Sequence, residues 1–463
     1  MFDFTTILVA FAICVPAIVL AAQRSSWLVD YLFFVVALNR GIRRVVDYNN
    51  GYFDPYSLIS LTPIIVGGMA VLVVVIDLNS HSSSFGGSTL RTIYRYAFAT
   101  ALAFVIGLIN VRFGAIYALG DYIAPIGLLG FGALYANRLD ILDRWCNSVA
   151  LSGLVVAVYG IWQFYTIPPW DAFWVRAVDF EGYLGTLEPT KMTLFSTMSD
   201  RGPAATYLCS CLILVALRPN TLGPIRFPAG FVILIAMLLT YSRTTVIQIV
   251  LAVILYPLLN RGVGTKGVAA VTILALVFGE TLLSNLPGSG RAAARVSTIS
   301  NIQDDGSFRG RIMLVRYALS ESLSEPLGLG LGSHGLASRV SSIQTGGMGD
   351  STGYVEALRT YGWIGFLLIV SVFWTLWKAT RVMMAAGMVD ANLFLFRTWY
   401  ISGLVAAFSG NWFFTATFFW VLAGYCLAQA DAVGQDEFND ATHTDFDEFF
   451  SDDYQAEFDN RAC

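Results

Sequence analysis

Residues 57–77, SLISLTPIIVGGMAVLVVVID, carry no charge before the closing Asp77. A helix needs about 20 mainly apolar residues to cross a bilayer, and this stretch supplies them. Comparable runs cover 4–22, 27–39, 93–110, 114–136, 148–167, 203–217, 227–241, 244–259, 267–285, 362–377, 393–410 and 413–429. The pattern predicts an all-α, polytopic membrane helix bundle of 12 or 13 transmembrane helices. The short run at 27–39, which contains Asp30, decides between the two counts. Continuous rather than alternating apolar runs exclude a closed barrel.

Composition agrees. Of 463 residues, 13% are charged and 56% hydrophobic, with a mean hydropathy of +0.64, whereas a soluble domain has about 25% charged and 45–50% apolar residues. Phe4–Ala22 follows no basic region and precedes no small-residue cleavage site, so a retained span is expected there. The cysteines, Cys14, Cys146, Cys209, Cys211, Cys426 and Cys463, are scattered without a CxxC pair, which argues against redox or metal chemistry.

Basic residues in short loops orient the bundle. With the C-terminus inside, Lys378 and Arg381, Arg261 and Lys266, Arg218 and Arg226, and Arg138 and Arg144 all fall in cytoplasmic loops. The side of the N-terminal helices stays open, because Arg40, Arg43 and Arg44 lie outside if 27–39 crosses. The resulting organisation is helices to 167, an outer loop at 168–202, helices over 203–285, a large outer loop at 286–361, helices over 362–430 and a tail at 431–463. The tail holds eleven acids and only Arg461 as a base. It leaves the membrane body near +6 and is itself near −10. Such a segment is expected to be disordered, with its interleaved aromatics able to dock a basic cytosolic partner.

The large outer loop carries Arg291, Arg295, Arg309, Arg311, Arg316, Arg339 and Arg359 and no lysine. Guanidinium is a permanently charged planar fork that grips phosphate at two oxygens, so this choice calls for an anionic ligand at the outer surface. SFRGRIMLVRYALSESL, residues 307–323, has Ile312, Val315, Leu319 and Leu323 at helical spacing with Arg309 and Arg316 apart from them, which predicts an amphipathic helix. Glu325-Pro326 ends it. Gly328, Gly330, Gly332 and Gly335 then allow a tight turn whose N–H groups can form an anion-binding nest.

GRIMLVRYALSESLSEPLGLGLGS, residues 310–333, followed by DSTGYVEALRTYGWIGFLL at 350–368, resembles the outer-loop signature of the O-antigen polymerase and O-antigen ligase family, above all its exopolysaccharide polymerases. FSTMSDRGPAATYL at 195–208 and TYSRTTVIQIVLAVILY at 240–256 are similar to the same family. The resemblance covers about 180–380 and rests on the order of these stretches around the spans. It implies a periplasmic active site in a bacterial inner membrane, where an undecaprenyl-diphosphate-linked oligosaccharide is transferred. The ligase branch has His-Asn where this chain has Asp350-Ser351, which favours the polymerase side.

Departure of a lipid diphosphate builds negative charge that arginines can stabilise without a metal or cofactor. Arg243, opening a helix whose dipole adds to its charge, and Arg311 are the first candidates. Arg309, Arg316 and Arg201 follow as substrate contacts. His334 and Asp350 are candidate bases for the acceptor hydroxyl, Glu325 is a further carboxylate near them, and Glu188 in LGTLEPTK is placed to contact sugar. Asp30, Asp77, Asp121 and Glu280 fall near span ends and are set aside. The expected partners are the lipid-linked oligosaccharide, the bilayer and, through the tail, a chain-length regulator; nucleic acid is not expected. A flippase would show internal repeats with helices broken at mid-membrane, which this sequence lacks. A ligase would hand finished chain to another acceptor.

Overall fold

A computed structural model describes residues 3–55, 57–80, 85–218, 220–259, 306–333, 352–408 and 417–449, with side chains described to 256 in the helix ending at 259, from 309 in the helix starting at 306 and to 434 in the last helix. Those residues form α1 (Phe4–Ala22), α2 (Trp27–Asn50), α3 (Thr62–Ser80) after a short 3₁₀ turn at Leu58–Leu61, α4 (Gly87–Asn110), α5 (Phe113–Leu134) and α6 (Leu139–Thr166). Two short helices, α7 (Pro169–Ala177) and α8 (Glu181–Leu184), precede α9 (Arg201–Leu217), α10 (Arg226–Leu238) and α11 (Arg243–Leu259). Then come α12 (Gly306–Ser324), α13 (Gly353–Ala385), α14 (Ala391–Ala406) and α15 (Thr417–Phe449). No strand occurs among the described residues, whose one extended pairing joins Gly185 to Met192. The molecule is an all-α bundle.

Among the described residues six helices are long and apolar enough to cross a membrane: α1, Leu58–Asn79, α4, α5, α6 and α13. Arg201–Leu217, Gly223–Leu238 and Arg243–Tyr256 are shorter apolar helices. The expected span at 267–285 lies outside the described residues. The run at 27–39 is only the first half of α2, a 24-residue helix that continues through Arg40, Arg43, Arg44 and Asp47. The apolar run stops at Arg40; the helix does not, because Arg40, Arg43, Arg44 and Asp47 each take part in an ion pair.

The ion pairs sort onto two ends of the bundle. At one, Arg24 meets Asp77 at 3.5 Å, Arg144 meets Asp30 at 3.0 Å and Arg218 meets Asp143. There too the Asp431 carboxylate caps α4, accepting from the Ser88 and Thr89 amides at 3.1 and 2.9 Å. We call this the basic end, since Arg138, Arg144 and Arg218 gather there. At the other, the loop end, Arg40 meets Asp121 at 3.7 Å, Arg43 meets Asp47 at 3.2 Å and Arg44 meets Asp171 at 3.0 Å. Asp30, Asp77 and Asp121 are thus tethers between helices, and Glu280 lies outside the described residues. Asp431 belongs to the helical body, and α15 runs to Phe449.

Small residues bring the helices close. A methyl group added at Gly132 of α5 would sit 2.0 Å from the Val421 carbonyl oxygen of α15, and one at Gly424 1.9 Å from that of Leu129. Without a hydrophobic drive between helices in lipid, close backbone approach of this kind supplies the packing.

Candidate functional site

The segment between α6 and α9 folds over the loop end on its own apolar cluster of Trp174, Val175, Phe180, Leu184, Met192 and Phe195. A buried polar group pins it. Arg44, 1% exposed, pairs with Asp171, 0% exposed, donates to the Ser196 carbonyl, and lies over the rings of Trp174 and Phe195. Tyr159 and Gln163 donate to the other Asp171 oxygen at 2.8 and 2.6 Å, and the Gln163 carbonyl accepts from the Ser196 amide at 2.7 Å. Charges this deep persist only when paired and hydrogen-bonded. The arrangement fixes the stretch from Phe195 into α9.

That stretch presents the site. Asp200 caps α9 by accepting from the Gly202 amide at 2.6 Å, as an aspartate before a helix start favours. Arg201, the first residue of α9, stacks on Tyr183 of α8 with its guanidinium carbon 4.3 Å from the ring centre. The charge of Arg311, on α12, is felt there too: burial and the Asp200 carboxylate raise the Tyr183 hydroxyl pKa, and Arg201 and Arg311 oppose the rise. Asp200 in turn feels Arg40 and Arg201, yet burial holds its carboxyl above the usual aspartate range. Arg201 thus stacks on a tyrosine beside a partly buried carboxylate, with Arg40 and Arg311 acting on these groups through their charge, a set suited to a diphosphate and a proton.

Of the candidates, Arg201 and Arg311 both act on Tyr183. A helix turns about 100° per residue, so Arg316 points about 140° away from Arg311, and both Arg309 and Arg316 are on the exposed side of α12. Arg243 opens α11, half-buried. Glu188 is exposed and pairs with Lys191. Glu325 is exposed, and its carbonyl accepts the Gly328 amide at 2.9 Å. Arg359 is committed to Glu321, at 2.5 and 2.9 Å. His334 and Asp350, with Arg291, Arg295 and Arg339, lie outside the described residues.

The first half of the glycine turn, Gly328 to Leu331, does not offer its amides to an anion. The amides of Gly328, Leu329, Gly330 and Leu331 donate to the carbonyls of Glu325, Arg359, Thr360 and Ala103. Gly330, at φ 84°, lies so close to α4 that an added methyl would come within 2.0 Å of the Gly107 nitrogen. These glycines let 326–333 wedge between the α4–α5 turn and a kink in α13 at Gly362, where φ is 60°. The N–H groups from Gly328 to Leu331 are used within that wedge, and Gly335 lies outside the described residues.

Arg40, Tyr183 and Asp200 escape the sequence reading. Arg40, Arg43, Arg44 and Asp47 stand at i, i+3, i+4 and i+7, a polar stripe in an apolar helix that marks a functional or tethering face. Asp200 directly before Arg201-Gly-Pro carries a helix-start signal. A groove of about 590 Å³ between the end of α2 and α7, lined by Tyr48, Pro169, Phe173 and Arg176, contains none of the candidates. Comparison of the chain with protein-family models and with curated proteins finds no match.

Proposed function

We propose that the protein is a membrane glycosyltransferase that polymerises undecaprenyl-diphosphate-linked oligosaccharide repeat units at the periplasmic face of a bacterial inner membrane. The observation that carries this is the stacking of Arg201 on Tyr183 next to the Asp200 cap, with Arg311 close enough to act on the Tyr183 hydroxyl through its charge. The resemblance of 195–208 and 310–333 to the polymerase and ligase family supplies the substrate class. An acceptor hydroxyl oxygen attacks the anomeric carbon of the donor as the bond from that carbon to the diphosphate oxygen breaks. The electron pair leaves with the diphosphate, whose growing charge Arg201 and Arg311 neutralise. The hydroxyl proton passes to the Asp200 carboxylate, a base made stronger by its burial.

The test is reconstitution of the purified full chain with lipid-diphosphate-linked repeat units in the presence of a chelator. Oligomers that lengthen on the lipid carrier support polymerisation. Transfer only to an added non-lipid acceptor would indicate a ligase. Movement of intact repeat units across the vesicle wall without any new glycosidic bond would indicate a flippase and end the enzymatic proposal.

A further inference from the structure

Helix α12 turns its apolar stripe away from the protein. The sequence pattern predicts an amphipathic helix with Ile312, Val315, Leu319 and Leu323 on one stripe; Val315 is half-buried, but Ile312 and Leu319 are each 43% exposed and Leu323 is 75% exposed. The side that packs on α13 is instead small and polar: Ala318 and Ser322 are 1% and 3% exposed, and Glu321 holds Arg359. Arg316 is exposed beside the outward stripe. On a helical wheel it falls about 40° from Ile312 and about 20° from Leu323.

The stripe is followed by exposed apolar side chains at the head of a helix long and apolar enough to cross a membrane. Leu327, 46% exposed, follows it, and the Trp363 amide donates to the Pro326 carbonyl at 2.9 Å, holding this corner at the head of the α13 span. That span begins its outward side with Ile364 and Leu367, 51% and 60% exposed. Apolar surface therefore runs from α12 around the corner and down a membrane-crossing helix. A helix with an apolar side continuous with a span and arginine along its margin is built for the boundary between headgroups and acyl chains.

We infer that α12 is an interfacial helix docked on the bilayer leaflet at the loop end, with Ile312, Leu319 and Leu323 dipped below the headgroups and Arg316 held at the lipid phosphates. The bilayer rather than a protein is the occupant because the stripe shares its surface with α13. In this position the leaflet sets how closely the packed side of α12, which on the helical wheel carries Arg311 with Ala318 and Ser322 about 100° from the stripe, approaches Tyr183. The docking itself does not depend on the proposed activity.

The experiment places single nitroxide labels on the full chain, with Cys463→Ser and the buried cysteines retained, in phosphatidylglycerol nanodiscs. Leu319→Cys and Leu323→Cys are compared with Ser320→Cys on the neighbouring side. Lipid docking gives collision with oxygen several-fold above collision with a water-soluble nickel chelate at 319 and 323, and the reverse at 320. Arg316→Glu should raise the nickel accessibility of 323, and a switch to phosphatidylcholine should do so more weakly. Nickel access at 319 and 323 equal to that at 320 overturns the inference, since the stripe would then face water. Dipolar broadening between labels overturns it in favour of a second copy of the chain, and low access to both probes in favour of cover by the protein itself.

Discussion

Arg311 and Arg316 share a helix and a charge but not a side of it, and lysine replacement separates their roles. Arg311→Lys and Arg201→Lys keep the charge and lose the planar fork. Turnover of purified protein is expected to fall on the order of 10² to 10³ fold, the effect of removing a donor that acts in the transition state, while Arg316→Lys stays near wild type. Equal turnover in all three would remove arginine-assisted departure of the diphosphate. Asp200→Asn keeps the cap on α9, because asparagine caps as well as aspartate, but it removes the base. The wild-type rate should fall as pH drops through a value above the ordinary aspartate range of about 3.9, and the residual rate of Asp200→Asn should lack that limb. Stability runs the other way. A carboxyl whose pKa is raised by folding stabilises the protein below its unfolded pKa and loses that contribution as pH rises through the folded one, so thermal unfolding of Asp200→Asn should occur no lower than wild type at pH 7. A melting temperature well below wild type at that pH would mean the charged carboxylate is itself a structural tether.

The elements at the loop end are held by two devices, one electrostatic and one steric. Asp171→Asn leaves Arg44 as a buried charge without its counterion, a change that costs about 3 to 5 kcal/mol, so limited proteolysis of the 168–200 segment should accelerate strongly. Unchanged proteolysis would show that the apolar cluster around Trp174 holds the segment alone. The glycines of α12 and the wedge give a contrast that sequence cannot. Gly330→Ala meets both a left-handed backbone and the Gly107 nitrogen, and should destabilise by about 2 to 4 kcal/mol. Gly310→Ala meets nothing within 4 Å and should stabilise by about 0.5 to 1 kcal/mol, both read from thermal unfolding in detergent. What is legible in the sequence divides along the same line. The extents of α1, α5 and α12 follow from local periodicity and turn residues to within a few positions. The meaning of Gly328 to Gly332, the outward stripe of α12 and the company of Arg40, Tyr183 and Asp200 depend on contacts between distant segments, for which no local pattern exists.

For the molecule as a whole, the two ends differ in what they offer. Positive residues in short connections favour the cytoplasm, and Arg138 and Arg144 mark the basic end. Glu188→Cys should react with an impermeant maleimide on intact cells, whereas Asp140→Cys should react only after the membrane is opened; both parent residues are exposed, at 53% and 66% for their side chains. The reverse result would put the arginine group on the cytoplasmic side and remove the proposed periplasmic reaction. The wedge of 326–333 also bears on how the protein is made. The Asn110 side chain donates to the Leu329 carbonyl across 219 residues of chain, and ribosomes add about 5 to 20 residues per second. The notch at the α4–α5 turn therefore waits roughly 10 to 45 s of synthesis for the segment that fills it. During that interval its bare glycine backbone and the Ala103 carbonyl must be shielded by lipid or by the insertion machinery. The α4–α5 corner is completed only when a segment made more than two hundred residues later is seated against it.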